Sequence, residues 1–341
     1  MSNLVGELQK IVGAAHVLTK LEDRLCYSID STFIDHLPDV VVQPANRDEV
    51  VAVVKAAAHF GVPVVSRGAS TGLSGGTVPV QGGIVLELTR LNRILNIDFV
   101  NERAVLEPGV ITQDFLQAVQ KEGLLYPPDP ASSKMSTIGG NIAECAGGPK
   151  GVKYGVTRDY LLGLEVVLPD GSVVETGNSI DGDMCGPDWT MLFCGSEGTL
   201  GVITKIILKL AHPPQDKKTL MAVFDRIEDA AVTVSTIMAS GVIPTTLEMM
   251  DNLTIRAVEN YLEIGLPVEA GAILLIEVDG GPAAVQHDMV HVEAVCRRCG
   301  AVEVKTAQNK TEAVALWKAR RSMSPACGKI NPTKISEDAT V

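Results

Sequence analysis

The chain has 341 residues, 46% of them hydrophobic, enough apolar material for about two buried cores and too much for a disordered polypeptide. Lys and Arg number 29 against 41 Asp and Glu, a formal charge of -12, and aromatics make up only 4%. A polyanion would be repelled and would find few stacking platforms, so nucleic acid is excluded as a partner.

In chain order, apolar Leu4, Leu8, Ile11, Val12 and Ala15 stand at helical spacing, broken by Glu7 and Lys10. This predicts an amphipathic helix in an N-terminal segment (1–35), not a signal peptide. Cysteines 26, 145, 185, 194, 296, 299 and 327 are scattered and odd in number, the pattern of reduced thiols in a cytosolic protein. No stretch has the length and purity of a membrane span. The expectation is a cytoplasmic protein, with a peripheral place at the inner membrane left open.

From residue 36 to 213 a first large domain is expected. "DVVVQP" reads as a strand, "NRDEVVAVVKAAAHFG" as a helix opened by Asn46 and closed by Gly61, and "VPVVS" as a second strand. This βαβ-like start runs into "RGASTGLSGG". "GIVLELTRLNRILNID", then "RAVLEPGV", a helix near "TQDFLQAVQKEG" and the proline loop "LYPPDP" follow. A second glycine cluster is "STIGGNIAECAGG". "LLGLEVVLPDGSVVETG" is a hairpin turning at Asp170-Gly171, and "GSEGTLGVITKIILKL" is a third glycine cluster entering a strand. Pro213 and Pro214 mark a boundary. Residues 214–341 then alternate strand and helix as two βαβ units with an intervening helix, which predicts an α+β, ferredoxin-like sheet. The chain stops at "KISEDATV" without a closing element, an ending that reads as cut.

The glycine loops do not match the common phosphate signatures. Residues 68–76 lack G-x-G-x-x-G, and no Gly-Lys-Ser/Thr occurs anywhere. What remains after Arg67 is a run of N–H groups with Ser70, Thr71 and Ser74 hydroxyls, able to form an anion nest without Lys. An irregular surface loop explains the same glycines.

Taken together, "PANRDEVVAVVKAAAHFGVPVVSRGASTGLSGG", "YPPDPASSKMSTIGGNIAECAGGPKGVKYGVTRDYLLGLEVVLPDGSV" and "LFCGSEGTLGVITKIILKL" resemble the FAD-linked oxidases. The family has the p-cresol methylhydroxylase-type (PCMH-type) flavin fold, and the chain is most similar to glycolate oxidase large subunits and D-lactate dehydrogenases. The resemblance implies an α+β protein: a PCMH-type FAD-binding domain of two α/β subdomains, then a ferredoxin-like cap that is incomplete. It implies FAD pyrophosphate contacts from Arg67, Gly68, Ala69, Ser70, Thr71, Gly72, Gly75 and Gly76. Flavin contacts are implied for Pro128, Asp129, Ser132, Thr137, Gly139, Gly140 and Asn141, and closure of the site for Glu197, Gly198, Gly201 and Ile203. Paired Gly139 and Gly140 would let a ring lie against main chain. The first loop holds no His, which implies non-covalent FAD.

The resemblance further implies oxidation of a D-2-hydroxy acid such as glycolate or D-lactate. The electrons would pass to a quinone, an electron-transfer flavoprotein, an iron–sulfur subunit or oxygen, in a homodimer or a hetero-complex. In "ALWKARRSMSPA", Arg320 matches the family's carboxylate-gripping Arg, with Arg321 adjacent; basic residues ending a helix also serve its dipole. Lys334 and Glu248 are weaker candidates. The family's His-rich motif, with its divalent metal ligands and base, lies beyond a segment like the one at the chain's end, so no metal site is expected here. His287 and His291 at i, i+4 on a predicted helix lack a third ligand and read as surface or interface residues. Cys296 and Cys299 read as small residues on one helical face, and Cys145 as packing. The alternative reading is a non-catalytic FAD module, an electron-relay or assembly subunit of a glycolate oxidase-like complex.

Overall fold

The computed structural model describes residues 2–177 and 187–331; Cys185, Lys334 and the chain's final residues lie outside them. Backbone contacts divide the chain into two units. Among the described residues, the first contains those up to Gly147 and from Val156 to His212, and the second contains Gly148–Gly155 and those from Pro213 to Asn331.

The first unit holds two sheets. One has the order β1-β2-β4-β3, from β1 (Val17–Leu18), β2 (Val40–Val42), β3 (Val64–Arg67) and β4 (Ile84–Glu87). β4 pairs in parallel with both β2 and β3, so the helix between them, α3 (Arg47–Phe60), is a crossover. Asn46 caps that helix by accepting the Glu49 amide at 3.0 Å, and Gly61 ends it at φ 64°. β2 and β4 are buried along their whole length, as strands covered on both faces must be. The N-terminal helix α1 (Ser2–Val12) buries Leu4, Leu8 and Val12 in the same core, together with Val50 and Val53 of α3. The N-terminal segment is therefore packed into this subdomain, and Ala15 lies beyond the helix on an exposed turn.

The second sheet is antiparallel, in the order β5-β6-β9-β7-β8. Its strands are β5 (Ile94–Asp98), β6 (Arg103–Leu106), β7 (Leu161–Val167), β8 (Val173–Gly177) and β9 (Val202–Lys209). The β7–β8 hairpin turns at Gly171, φ 78°, where the Gly171 amide returns to the Leu168 carbonyl at 2.8 Å. Against this sheet pack α4 (Thr112–Lys121), α5 (Ile138–Ala143) and α7 (Trp189–Phe193), through Phe115, Val119, Ile138, Ile142 and Phe193.

The second unit is an antiparallel sheet in the order β11-β12-β10-β13, the ferredoxin-like order. Its elements are β10 (Asp216–Phe224), α8 (Ile227–Ala239), β11 (Thr246–Asp251), α9 (Asn252–Leu262), β12 (Ala272–Gly280), α10 (Pro282–Arg298) and β13 (Glu303–Thr306), then α11 (Lys310–Arg321) and α12 (Met323–Ile330). α8 and α10 cover one face over Leu220, Ala222, Phe224, Leu274 and Ile276. α9, α11 and α12 cover the other over Met221, Val223, Ile273 and Leu275. No helix among the described residues is long and apolar enough to cross a membrane.

The short helix α6 (Gly151–Tyr154) belongs to this second unit although its sequence interrupts the first. Lys153 Nζ donates to the Asp279 main-chain carbonyl at 2.7 Å and to Oδ1 at 2.5 Å, and the Tyr154 hydroxyl donates to Oδ2 at 2.8 Å. Burial would push the Asp279 carboxyl up, but these hydrogen bonds, Lys153 foremost, hold it below the ordinary carboxylate range. A depressed acid stabilises the fold fully above the unfolded value of about 4 and loses that contribution as pH falls through the folded one. Asp279→Asn is expected to cost about 2 kcal/mol at pH 7 by removing the charge that satisfies Lys153. Denaturant unfolding at pH 7 and pH 3 checks this: the gap between variant and parent should shrink at pH 3.

Candidate functional site

The first glycine-rich segment leaves β3 and makes no helix. From Ala69 to Thr77 no main-chain N–H donates to an acceptor among the described residues. Gly75 sits at φ 81° with no atom within 4 Å of where a Cβ would stand, so the turn requires glycine while the space beside it is open. Gly68 is different, because a Cβ there would overlap Thr137 Oγ1. Ser70, at φ 58°, is held by a 2.6 Å hydroxyl pair with Thr77. Gly72 would bring a Cβ within 3.1 Å of Glu144 Oε1, and Gly76 within 3.4 Å of Glu197 Oε2. Ala69 and Thr71 are half-buried members of the same turn.

The second segment is anchored by its main chain. The Ile138 amide donates to Val110 O at 2.9 Å and the Gly139 amide to Pro108 O at 2.8 Å. Thr137 caps α5 by accepting the Gly140 amide at 3.2 Å. The two glycines differ: a Cβ on Gly139 would meet the Pro108 ring at 2.5 Å, whereas on Gly140 it would meet only Thr137 Oγ1, at 3.2 Å. Gly139 is thus demanded by packing, and of the pair Gly140 has the more open surroundings. Asn141 turns inward, donating to Thr112 Oγ1 at 2.8 Å. Pro128 is buried, Asp129 is half-buried, and the Ser132 carbonyl takes the Met135 and Ser136 amides in the turn before α5.

The third segment docks on the end of α5. Gly195 donates to Ile142 O and Glu197 to Ala143 O, both at 2.9 Å. Added Cβ atoms on Gly198 and Gly201 would meet Ser66 Oγ at 2.5 Å and the Val166 side chain at 2.6 Å, so both glycines serve close packing. Ile203 lies in the sheet core at 8% exposure. The structure therefore brings all three glycine segments together. Each contains one non-glycine residue in the left-handed region, Ser70, Cys145 and Glu197 at φ 58°, 50° and 54°. Strain of this kind persists where surrounding structure imposes it.

Arg67 ends β3 and its side chain is turned toward Tyr27. Its guanidinium is buried, donates to Tyr27 O at 3.2 Å and lies 5.4 Å from the Tyr27 ring centroid. Glu144 is the residue that sequence reasoning passes over: a single Glu within "NIAECAGG" carries no signal until the loop folds against it. Its carboxylate accepts Ser74 Oγ at 2.8 Å. Burial pushes the Glu144 carboxyl above its ordinary range, and the charges of Glu197 and Asp30 push the same way against that hydrogen bond. A donor-rich main chain and a two-carboxylate rim thus share one site.

The second unit carries a separate polar cluster on the sheet face covered by α11. Arg320 Nε donates to Glu248 Oε2 at 2.7 Å, which leaves its two terminal nitrogens without a partner among the described residues. Trp317 Nε1 donates to Glu277 Oε2 at 3.1 Å, and Thr219 and Lys217 donate to the same carboxylate. Arg321 is exposed. His287 is exposed beside Asp288, and no group of three or more metal-ligating side chains occurs among the described residues. Cys296 is buried, and Cys299 donates to Thr236 Oγ1 at 3.7 Å.

Two outcomes follow from the geometry of the first unit. Gly139→Ala should lower the melting temperature by several degrees through its clash with Pro108, while Gly140→Ala should leave it within about 2 °C. Differential scanning fluorimetry checks both. Glu144→Gln should stabilise the fold at pH 7, by less than about 1 kcal/mol because the group is half-exposed. A raised acid penalises the fold above its folded value and not below its unfolded one, so this gain should vanish near pH 4.

A family model described as the FAD binding domain matches residues 38–177, and one described as the C-terminal domain of FAD linked oxidases matches residues 213–341. The chain is 50% identical over 319 residues to the glycolate oxidase subunit GlcD of Bacillus subtilis, covering 93% of this chain and 68% of that one. The Escherichia coli K12 glycolate oxidase subunit GlcD is 43% identical, with 89% and 61% covered. A D-lactate dehydrogenase of Anaerostipes hadrus is 36% identical, with 89% and 67% covered. The chain thus spans roughly two thirds of the length of these relatives, between 61% and 68%. Among solved structures, 4-ethylphenol oxidase from Gulosibacter chungangensis superposes with a TM-score of 0.81 at 20% identity, over 97% of this chain and 72% of that one. Substrate-bound p-cresol methylhydroxylase superposes at 0.76 and 19% identity, over 94% and 68%, so the fold is the PCMH type. With both domains matched in order and half the residues shared with one relative, the chain belongs to the FAD-linked oxidases.

Proposed function

We propose that this chain carries the flavin of an oxidase acting on a small D-2-hydroxy acid of the glycolate or D-lactate class, with FAD held by contacts alone. The observation that carries this reading is the run of main-chain N–H groups from Ala69 to Thr77 without protein acceptors. Such a nest suits a pyrophosphate and needs no Lys. It is open at Gly75, where nothing lies within 4 Å of an added Cβ. The carboxylates of Glu144 and Glu197 would repel a phosphate, so they suit hydroxyl or N–H donors of the same cofactor. None of the three glycine segments contains His, which supports non-covalent attachment.

Bound FAD would accept the two electrons removed from the substrate's carbinol carbon. Arg320 is assigned to the substrate carboxylate. Glu248 fixes the guanidinium through Nε and leaves the terminal pair of nitrogens to make a two-point contact. Two relatives are named as subunits of glycolate oxidase, which supports a further subunit as the partner that takes the electrons.

The chain, purified and reconstituted with FAD, should be yellow and should bleach anaerobically with glycolate, D-lactate or D-2-hydroxyglutarate. Arg320→Lys should weaken substrate half-saturation about 10- to 100-fold while FAD stays bound, since an ammonium cannot reproduce the fork. A chain that takes up no FAD refutes the cofactor reading. Stable FAD without bleaching refutes substrate oxidation and leaves an electron-relay module.

A further inference from the structure

Helix α11 lies on the sheet of the second unit with little hydrophobic anchorage. Of its 12 residues only Ala319 is fully buried, and Leu316 and Trp317 are partly so. Val314, its other large apolar residue, is 60% exposed. Polar contacts at Trp317 and Arg320, three residues apart on one helix face, tie it to the sheet.

The two acceptors stand one step apart on neighbouring strands. Glu277 of β12 pairs with Thr246 of β11, and Glu248 lies two residues further along β11, so both carboxylates belong to one sheet face. Glu277 Oε2 accepts the Trp317 indole N–H at 3.1 Å, the Thr219 hydroxyl at 3.0 Å and Lys217 Nζ at 3.3 Å. Glu277 is 5% exposed, and Thr219 with Lys217 already supplies it with donors, so the indole is not required merely to pair a buried acid. One hydrogen bond leaves a helix free to pivot about it. A second, from Arg320 to Glu248, removes that freedom.

We propose that Glu277 is a positioning residue for substrate binding: through the Trp317 indole it sets the rotation of α11, and so the place where Arg320 presents its terminal nitrogens. This role rests on the assignment of Arg320 to the substrate carboxylate, and adds to it a residue that acts on the substrate only through another. Glu248 holds the guanidinium itself, through Nε, while Glu277 holds the helix that carries it. A two-point contact with a carboxylate tolerates little misplacement, so a rotated helix is felt as lost affinity. Glu277→Gln keeps an oxygen acceptor for the indole. Trp317→Phe keeps an aromatic ring on the sheet and removes the donor.

The FAD-loaded chain is titrated calorimetrically with oxalate, a carboxylate probe that cannot be oxidised as a hydroxy acid. Trp317→Phe should weaken oxalate about tenfold and raise half-saturation by D-lactate in anaerobic bleaching by a similar factor, with bound FAD and the rate at saturation unchanged. Glu277→Gln should stay within about twofold of the parent. The chain has 2 tryptophans, and in the unsubstituted protein the Trp317 indole N–H should resist hydrogen exchange by NMR, while that of Trp189, a residue 58% exposed, exchanges freely. Oxalate binding that survives Trp317→Phe but not Arg320→Lys overturns the role of Glu277 and leaves Arg320 in place. Oxalate binding that is absent from the parent or survives Arg320→Lys overturns the Arg320 assignment and, with it, the role built on it. A loss in Glu277→Gln as large as in Trp317→Phe, or an equal fall in the rate at saturation, also overturns the role. So does a fast-exchanging Trp317 indole, a measurement that needs no variant to fold.

Discussion

The carbonyls of Ile142 and Ala143, at the last turn of a six-residue helix, receive the amides of Gly195 and Glu197. Those two bonds hold the third glycine segment against the second. The close approach of Gly68 to Thr137 holds the first segment against the same helix. α5 is therefore the shared wall of the site, and it is short because both ends are used. Its N-terminus is capped by Thr137 and bonded to Pro108 and Val110, and its C-terminus is consumed by the docking segment. The buried hydroxyls of Thr112 and Ser136 and the amide of Asn141 form a satisfied network behind it, so the wall is fixed from the inside by polar contacts as well as by Ile138 and Ile142.

Much of the architecture is legible in the sequence because local chemistry and global fold agree. Asn46 and Gly61 bound their helix, Asp170-Gly171 turns its hairpin, and the alternating pattern after Pro214 gives a four-stranded sheet in ferredoxin-like order. The glycines are less legible, since the letter alone does not say what fills the space where a side chain is missing. At Gly139, Gly198 and Gly201 the space is filled by Pro108, Ser66 and Val166. At Gly75 it is open, and at Gly140 nearly so. The partner of the Arg67 guanidinium is hidden for a related reason: Tyr27 lies 40 residues earlier, beyond any pattern of spacing.

The polar cluster of the second unit makes the same point at longer range. Arg320 and Glu248 are separated by 72 residues, and only the pairing of β11 with β12 and the placement of α11 bring them within 2.7 Å. Trp317 and Arg320, three residues apart on one helix, reach two different carboxylates of the sheet. Neither helix nor strand alone hints at this arrangement. The sheet face changes along its strands from Met221, Val223, Ile273 and Leu275 to Thr219, Thr246 and Glu277, and that change is what admits charged side chains at one end.

A cradle made of amides has no proton to gain or lose across the physiological range. Any grip of the Ala69–Thr77 turn on an anion would thus be flat with pH and set by backbone geometry. Side-chain exchange there can remove a hydroxyl but cannot tune a charge. Acidity would reach this site through its rim, where burial pushes the Glu144 carboxyl up, so the adjustable part of the site lies outside the main-chain turn.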